Sequence, residues 1–482
     1  MKQGLTNYYQ PEFLWKIMNG EERRGKLRED YYSSDVQELS SKLKVLREEY
    51  RKLPKVSRPE KLQEIQDLKN QLDDLKKVEI RHKAELISSG KVNLAIDVKQ
   101  IKGHSAYIAN NVETMLISQI IKFELRRSYK LYPANMDVII EQVKGLLDNS
   151  MPKVIIRADI HHFFESIPQH DLVQTLLDDG FVSRQSIKYL KGILYAYNEK
   201  ANNIQTIGVP RGFAFSSHLS EFYMSSIDEK IQQIDGIYYY KRYVDDIIIV
   251  ADPSKHSISE YWDGLKEIIQ EKGLYLHEDS YKKYIQVLDG DTTGITFDYL
   301  GYRFTYHRGM LNLGLSQKRY LKYQILLDTV FDIYNKCSHY RKPKSRPVEE
   351  GKSKYEKRDA LHQLIDRLDV LTSNGLLSGR KNFVTTGIYY SNKYLTDFSQ
   401  LTSLDIYLQE KIEKCFNPPT NLFNYGKDNG YDKNVFQIKQ KLHSFSFVKG
   451  YEERKLHKNA RFGHVLLELQ HIYQAYINKE LS

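Results

Sequence analysis

The segment Tyr238–Asp252, YYYKRYVDDIIIVAD, constrains the fold of this chain more than any other stretch. Its tyrosines and its Ile-Ile-Ile-Val run favour extended backbone in an apolar environment. The spacing predicts a β-hairpin, and Asp245 and Asp246 interrupt it side by side. An uncompensated charge in such a setting costs several kcal/mol. Aspartate is common at turn apices, so the pair alone has an ordinary explanation. A second acidic strand end makes that explanation insufficient. In MPKVIIRADIHHFFESI, residues Val154–Ala158 read as a buried strand that delivers Asp159 at its end.

If these strands lie in one sheet, their carboxylates meet at one end and repel each other unless cations bind them. Hard oxygen ligands, with no thiol or histidine set beside them, point to Mg²⁺ or Mn²⁺. Two such ions about 4 Å apart can clamp the attacking and leaving oxygens of a phosphoryl transfer. Composition agrees with a polyanionic partner. Of 482 residues, 72 are Lys or Arg against 62 Asp or Glu, a formal charge of +10, although a basic surface also simply solubilises. The 37 tyrosines suit base stacking as well as core packing. Two cysteines, Cys337 and Cys415, offer no zinc spacing and no disulfide framework, which favours a reducing compartment. No signal peptide and no membrane-length apolar run is evident, so the expected location is the cytoplasm, with no membrane partner.

Along the chain, Leu39, Leu43, Leu46, Tyr50 and Leu53 recur at helical spacing. PKVSRP breaks the pattern, and Leu62, Ile65, Leu68, Leu72, Leu75 and Leu86 resume it. Steps of three and four predict an antiparallel helical hairpin. It is either an arm for a partner or a second copy, or a pair packed on its own domain. NLAIDVKQIKGHSAYIA (Asn93–Ala109) predicts two short strands turning at Lys102 and Gly103. Helices and strands then alternate to about Thr305, and the text beyond reads as almost wholly helical. The basic stretch Tyr340–Arg358 is expected to be a loop or linker.

Four ordered motifs carry a resemblance. ADIHHFFESI, GVPRGFAFSSHLSEFYM, YVDD and FDYLGYRF followed by LSQKRYLKYQ resemble the palm motifs of reverse transcriptases. Within that family they look most similar to the bacterial abortive-infection and phage-defence group. The resemblance implies an α+β right-hand polymerase with fingers, a palm with an antiparallel sheet and a helical thumb. Here that core carries an N-terminal helical hairpin and an α-helical C-terminal extension. The boundaries it suggests are an N-terminal helical region at 1–92, fingers with the start of the palm at 93–158, palm at 159–310, thumb at 311–400 and the extension at 401–482. The implied activity is RNA-directed DNA synthesis from dNTPs on an RNA template, a noncoding RNA in related defence enzymes, with a DNA product.

By the same resemblance, Asp159, Asp245 and Asp246 are the catalytic carboxylates. With the Ile160 carbonyl they hold two Mg²⁺ ions, Mn²⁺ being the alternative. Tyr243 supports the primer end. Phe164 is the ring that excludes a 2′-hydroxyl, with Phe163 as the competing choice. Gly208, Pro210 and Gly212 let backbone approach the nucleotide, and Arg211 stands where relatives carry glutamine. Arg211 is a phosphate or template ligand unless it pairs with a nearby carboxylate. Two places depart from the pattern. The finger strand GHSAY lacks the usual basic residue, which leaves Lys99 and Lys102. The general-acid lysine is displaced into HEDSYKKY, as Lys282 or Lys283. Tyr389, Tyr390 and Tyr394 are tyrosines that a protein-primed enzyme could use. Template-independent or protein-primed synthesis, and a catalytically silent RNA-binding fold, are the alternative functions.

Overall fold

The computed structural model describes residues 8–23, 31–53, 58–101, 104–132, 134–338, 360–378, 383–416, 435–457 and 460–480. Lys102, Gly103 and the basic stretch Tyr340–Arg358 lie outside the described residues. Two compact units result, one from residues 1–134, 158–250 and 254–283, the other from 135–157, 251–253 and 284–482.

The first unit opens with α1 (Pro11–Arg23), in a stretch whose sequence pattern assigns nothing. Helices α2 (Ser34–Lys52) and α3 (Arg58–Ser89) then form the expected hairpin. Ser33 caps α2 by accepting from the Val36 N–H, as N-cap serines do. The pair is antiparallel, because Lys61 meets Glu49 near the turn and Ser33 meets Glu79 far from it. Val36 and Leu43 bury against Ile65 and Leu72, flanked by Leu39, Leu46, Tyr50, Leu68 and Leu75. Strands β1 (Ile96–Ile101) and β2 (His104–Ala109) pair antiparallel, Ile96 opposite Ala109 and Ile101 opposite His104. Next come α4 (Val112–Tyr129), then α5 (Met136–Leu147) and most of β3 (Lys153–Asp159), whose residues up to 157 belong to the second unit, and in the first unit again α6 (Phe163–Ser166), α7 (Gln169–Asp179), α8 (Arg184–Ala201) and α9 (Ser216–Gln232). The aspartate hairpin is β4 (Ile237–Tyr243) with β5 (Asp246–Ala251), followed by α10 (Ile258–Glu271).

Four strands make the sheet that carries the site, in the order β4–β5–β3–β6, β6 being Tyr284–Leu288. Strands β3 and β6 run antiparallel, with Lys153 opposite Leu288 and Arg157 opposite Tyr284. Ile247, Ile248, Ile249 and Val250 are fully buried, as are Val154, Ile155 and Ile156. Each contributes roughly 2 kcal/mol of transfer free energy. That gross gain lets the strands end in carboxylates that oppose folding.

In the second unit, β7 (Ile295–Tyr299), β8 (Tyr302–His307) and β9 (Met310–Leu315) form an antiparallel sheet, and α11 (Gln317–Ser338), α12 (Ala360–Thr372) and α13 (Ser399–Phe416) follow. The expectation of nearly unbroken helix after Thr305 is corrected here. Besides β9, a hairpin of β10 (Asn374–Ser378) and β11 (Phe383–Gly387) interrupts the helices. Phe-Val-Thr-Thr favours extended backbone, and such short apolar runs carry no period that separates strand from helix. Tyr389, Tyr390 and Tyr394 lie in the turns after this hairpin, outside any helix. Helices Val435–His443, Phe447–Glu453 and Ala460–Glu480 complete the described chain. Among the described residues no helix is long and apolar enough to cross a membrane.

Candidate active site

The site is built at the ends of β3 and the β4–β5 hairpin, entirely from residues of the first unit. Asp159 closes β3 and is 2% exposed, while Asp245 and Asp246 occupy the hairpin turn. One oxygen from each of the three carboxylates lies within 4.8 Å of the other two. The Ile160 N–H donates to the Asp245 carbonyl at 3.1 Å, which ties the hairpin turn to the residue after Asp159. Val244 takes φ +61°, a left-handed conformation unusual for a β-branched side chain. Such strain costs about 1–3 kcal/mol and persists where the surroundings over-determine it.

Burial, and next the Asp159 carboxylate, push the Asp245 carboxyl above its ordinary value, with Lys282 opposing them. Lys282 therefore offsets only part of the crowding of negative charge at Asp245. Oxygen donors at this spacing fit a divalent cation, and the triad with Ile160 is the set that could hold one.

A short extended segment after α10 provides the nearest cation. The Asp159 carbonyl accepts from the His277 N–H at 2.9 Å, and the His161 N–H donates to the Tyr275 carbonyl at 2.7 Å. The turn that follows is shaped by Asp279, whose carbonyl accepts from the N–H groups of Lys282 and Lys283. It aims the Lys282 ammonium at Asp159 Oδ2, 2.5 Å away. Lys283 points elsewhere, to Glu278 at 2.8 Å and over the Trp262 ring at 3.9 Å. Of the two lysines that the sequence leaves open, only Lys282 touches the triad. His277 Nε2 also stands 3.5 Å from Asp159 Oδ1, with its Nδ1 3.4 Å from Asp279. This histidine opens HEDSYKKY, and no motif in the sequence gives it a role. Its signal was the alternation of LYLHE, which places Leu276 inward and exposes the polar neighbours.

A second group forms around α6. Phe163 is buried and Phe164 half-buried, so of the two rings Phe164 is the accessible one. Arg211 stacks over it, 5.2 Å from the ring centre, and pairs with Glu165 through Nε at 2.7 Å and Nη2 at 3.0 Å. The loop carrying Arg211 is laced to α6 by Gly208 N–H to Ile167 O at 2.7 Å and Val209 N–H to Phe164 O at 2.6 Å. On its other side Tyr107 N–H donates to the Arg211 carbonyl at 2.6 Å. Gly212 takes φ +110°, and a Cβ there would stand 2.5 Å from the Tyr107 carbonyl oxygen. The strand GHSAY, deficient in arginine, thus contributes backbone. Tyr243 is half-buried at the end of β4, and Lys99 is exposed on β1.

Carboxylates converging at the end of an antiparallel sheet, with a lysine on one of them, are the arrangement of a polymerase-type palm fold. Residues 98–304 match the model of the family described as reverse transcriptase (RNA-dependent DNA polymerase). That segment contains the triad, Lys282, Phe164 and Arg211. Among solved structures, the chain is similar to the apo telomerase of Candida tropicalis truncated from its C-terminal domain, at 14% identity and TM-score 0.31, covering 48% of this chain and 58% of that one. It is also similar to the telomerase of Candida albicans in complex with a fragment of telomeric RNA, at 13% identity and TM-score 0.33, covering 82% and 69%. The chain thus spans 58% of the length of the first of these. No curated protein matches it.

Proposed function

We propose that this protein is an RNA-directed DNA polymerase that extends a primer with dNTPs. The observation that carries the reading is the meeting of Asp159, Asp245 and Asp246 within 4.8 Å, inside the segment that matches the reverse transcriptase family. In the reaction a primer 3′-hydroxyl attacks the α-phosphorus of a dNTP. A new P–O bond forms, the hydroxyl proton is lost and pyrophosphate leaves. Asp159, Asp245, Asp246 and the Ile160 carbonyl would hold two Mg²⁺ ions, which lower the hydroxyl pKa and offset phosphate charge when bound. Lys282, whose ammonium rests on Asp159, would give a proton to the departing pyrophosphate. Phe164, flattened under Arg211, supplies the wall that meets the sugar at its 2′ carbon. Arg211 and Gly212 would line the nucleotide side of the loop, and Tyr243 would support the primer end.

The test is incorporation of labelled dNTPs on a primed RNA by the purified full chain, with RNA binding measured in parallel. Asp245→Asn is expected to abolish incorporation and to leave RNA binding largely intact. Undiminished incorporation by that variant overturns the assignment. Product that forms after RNase treatment, without complementarity to supplied RNA, would instead establish template-independent or protein-primed synthesis by the same triad. RNA binding without incorporation by the unaltered protein would establish a silent binding module, a reading that leaves the cost of the crowded carboxylates unexplained. A role in antiphage defence is supported by the GVPRG and SEFYM wording of the motifs. Phage plating on cells carrying the protein or its Asp245→Asn variant tests it.

A further inference from the structure

Arg242 sits two residues before Val244 on β4 and its side chain is 3% exposed. A guanidinium has five N–H donors in a rigid plane, and here every one is engaged. Nε donates to Asp228 Oδ1 at 3.0 Å and Nη2 to Asp228 Oδ2 at 2.9 Å. Nη1 donates to Glu221 Oε1 at 3.1 Å and Nη2 to Glu221 Oε2 at 2.9 Å. The remaining Nη1 hydrogen goes to the Val244 carbonyl at 2.7 Å. Glu221 and Asp228 are seven residues apart on α9, hence on one face of that helix. Tyr240 adds its hydroxyl to Asp228 Oδ1 at 2.6 Å, from the same face of β4.

Four of the five bonds therefore anchor the guanidinium to α9, and the fifth reaches the one strained peptide between Tyr243 and Asp245. We infer that Arg242 is a positioning residue, a clamp that holds the Val244 peptide in its left-handed conformation and so presents Asp245 to Asp159. This inference rests on the proposed polymerase activity for its catalytic consequence, but its structural content concerns the triad alone. The chemistry needs arginine. Lysine offers three donors on a point charge and cannot serve two bidentate carboxylates and a carbonyl together.

The experiment uses the full chain with Arg242→Lys, Val244→Gly and the double variant, and Mn²⁺ as the probe. Supporting interactions of this kind typically change metal affinity or rate by about 10- to 100-fold. Arg242→Lys is expected to weaken Mn²⁺ binding to the triad by about tenfold and to lower kcat for incorporation with little change in primed-template affinity. Glycine adopts positive φ without penalty, so adding Val244→Gly to Arg242→Lys is expected to restore Mn²⁺ affinity to within about threefold of the unaltered protein, a tolerance small against the loss of about tenfold expected for Arg242→Lys alone. An arginine that merely stabilised the fold would be indifferent to residue 244, so a double variant no better than Arg242→Lys overturns the inference. Wild-type Mn²⁺ affinity in Arg242→Lys overturns it as well. Thermal melting separates unfolding from either result: a lysine variant whose Mn²⁺ loss disappears once the folded fraction is counted also overturns it. If the unaltered protein incorporates nothing while Mn²⁺ binding follows the expected order, the polymerase reading fails and the clamp stands.

Discussion

In the proposed enzyme, Asp159 would be shared by two cations with opposed interests. The Lys282 ammonium already rests on Oδ2, where a metal would compete for the same carboxylate. Removing it should move binding and rate in opposite directions. Lys282→Ala is expected to tighten Mn²⁺ binding, read by titration, while slowing single-turnover incorporation by about a hundredfold, the scale of a lost general acid. Lys283→Ala should do neither, because its partners are Glu278 and Trp262. Asp245 gives a stability counterpart. Its carboxyl is held above the ordinary value by burial and by Asp159, so the ionised form opposes folding at neutral pH. The sign follows from linkage: a raised folded pKa means stability present below the unfolded pKa and lost as pH rises through the folded one. Asp245→Asn should therefore raise the metal-free Tm at pH 7 and remove the further rise that Mg²⁺ gives the unaltered protein. At the neighbouring wall, Phe164→Ala should increase ribonucleotide use relative to dNTPs by about 10- to 100-fold, the scale of steric discrimination in a pocket, read as the ratio of kcat/KM values.

At the scale of elements, the loop 208–212 is stitched to α6 on one side and to β2 on the other, with Gly212 packed against the Tyr107 backbone. Ala at 212 would set a Cβ 2.5 Å from backbone oxygen at φ +110°. Neither atom is the end of a flexible side chain, so Gly212→Ala should cost about 1–3 kcal/mol in denaturant unfolding. Gly145, exposed in α5 with open space around its Cβ position, is the opposite case. Gly145→Ala should stabilise by about 0.5–1 kcal/mol. These elements were unequally legible in the sequence. The hairpin YYYKRYVDDIIIVAD and the strand before Asp159 declared themselves, because continuous apolar runs ending in acid have few other uses. The α2–α3 pair was legible through its three-and-four spacing. The β10–β11 hairpin was not, since five-residue strands show no period. Nor was the separation of Lys282 from Lys283: adjacent residues differ in direction only once the Asp279 turn is seen. Arg242 escaped notice for a related reason, its partners on α9 lying 14 and 21 residues away.

For the whole molecule, charge sets the terms of association. The chain carries an excess of ten positive charges, and the proposed nucleic-acid partner is a polyanion. A polyanion that reaches the carboxylates does so because its backbone is held elsewhere, and each neutralised phosphate releases a counterion. RNA affinity should therefore fall linearly on a log–log plot against salt, with a slope near −0.7 per phosphate for a single strand. At that slope six to ten such contacts correspond to a loss of roughly 3 × 10² to 2 × 10⁴ between about 50 and 200 mM salt. Asp245→Asn should leave that slope unchanged, because phosphate contacts position the strand without taking part in the chemistry. Fluorescence anisotropy with one labelled RNA over that salt range measures it. A flat dependence would mean that the basic surface keeps the protein soluble and that the nucleic acid is gripped by stacking instead, on exposed rings such as Tyr238, Tyr275 and Tyr281.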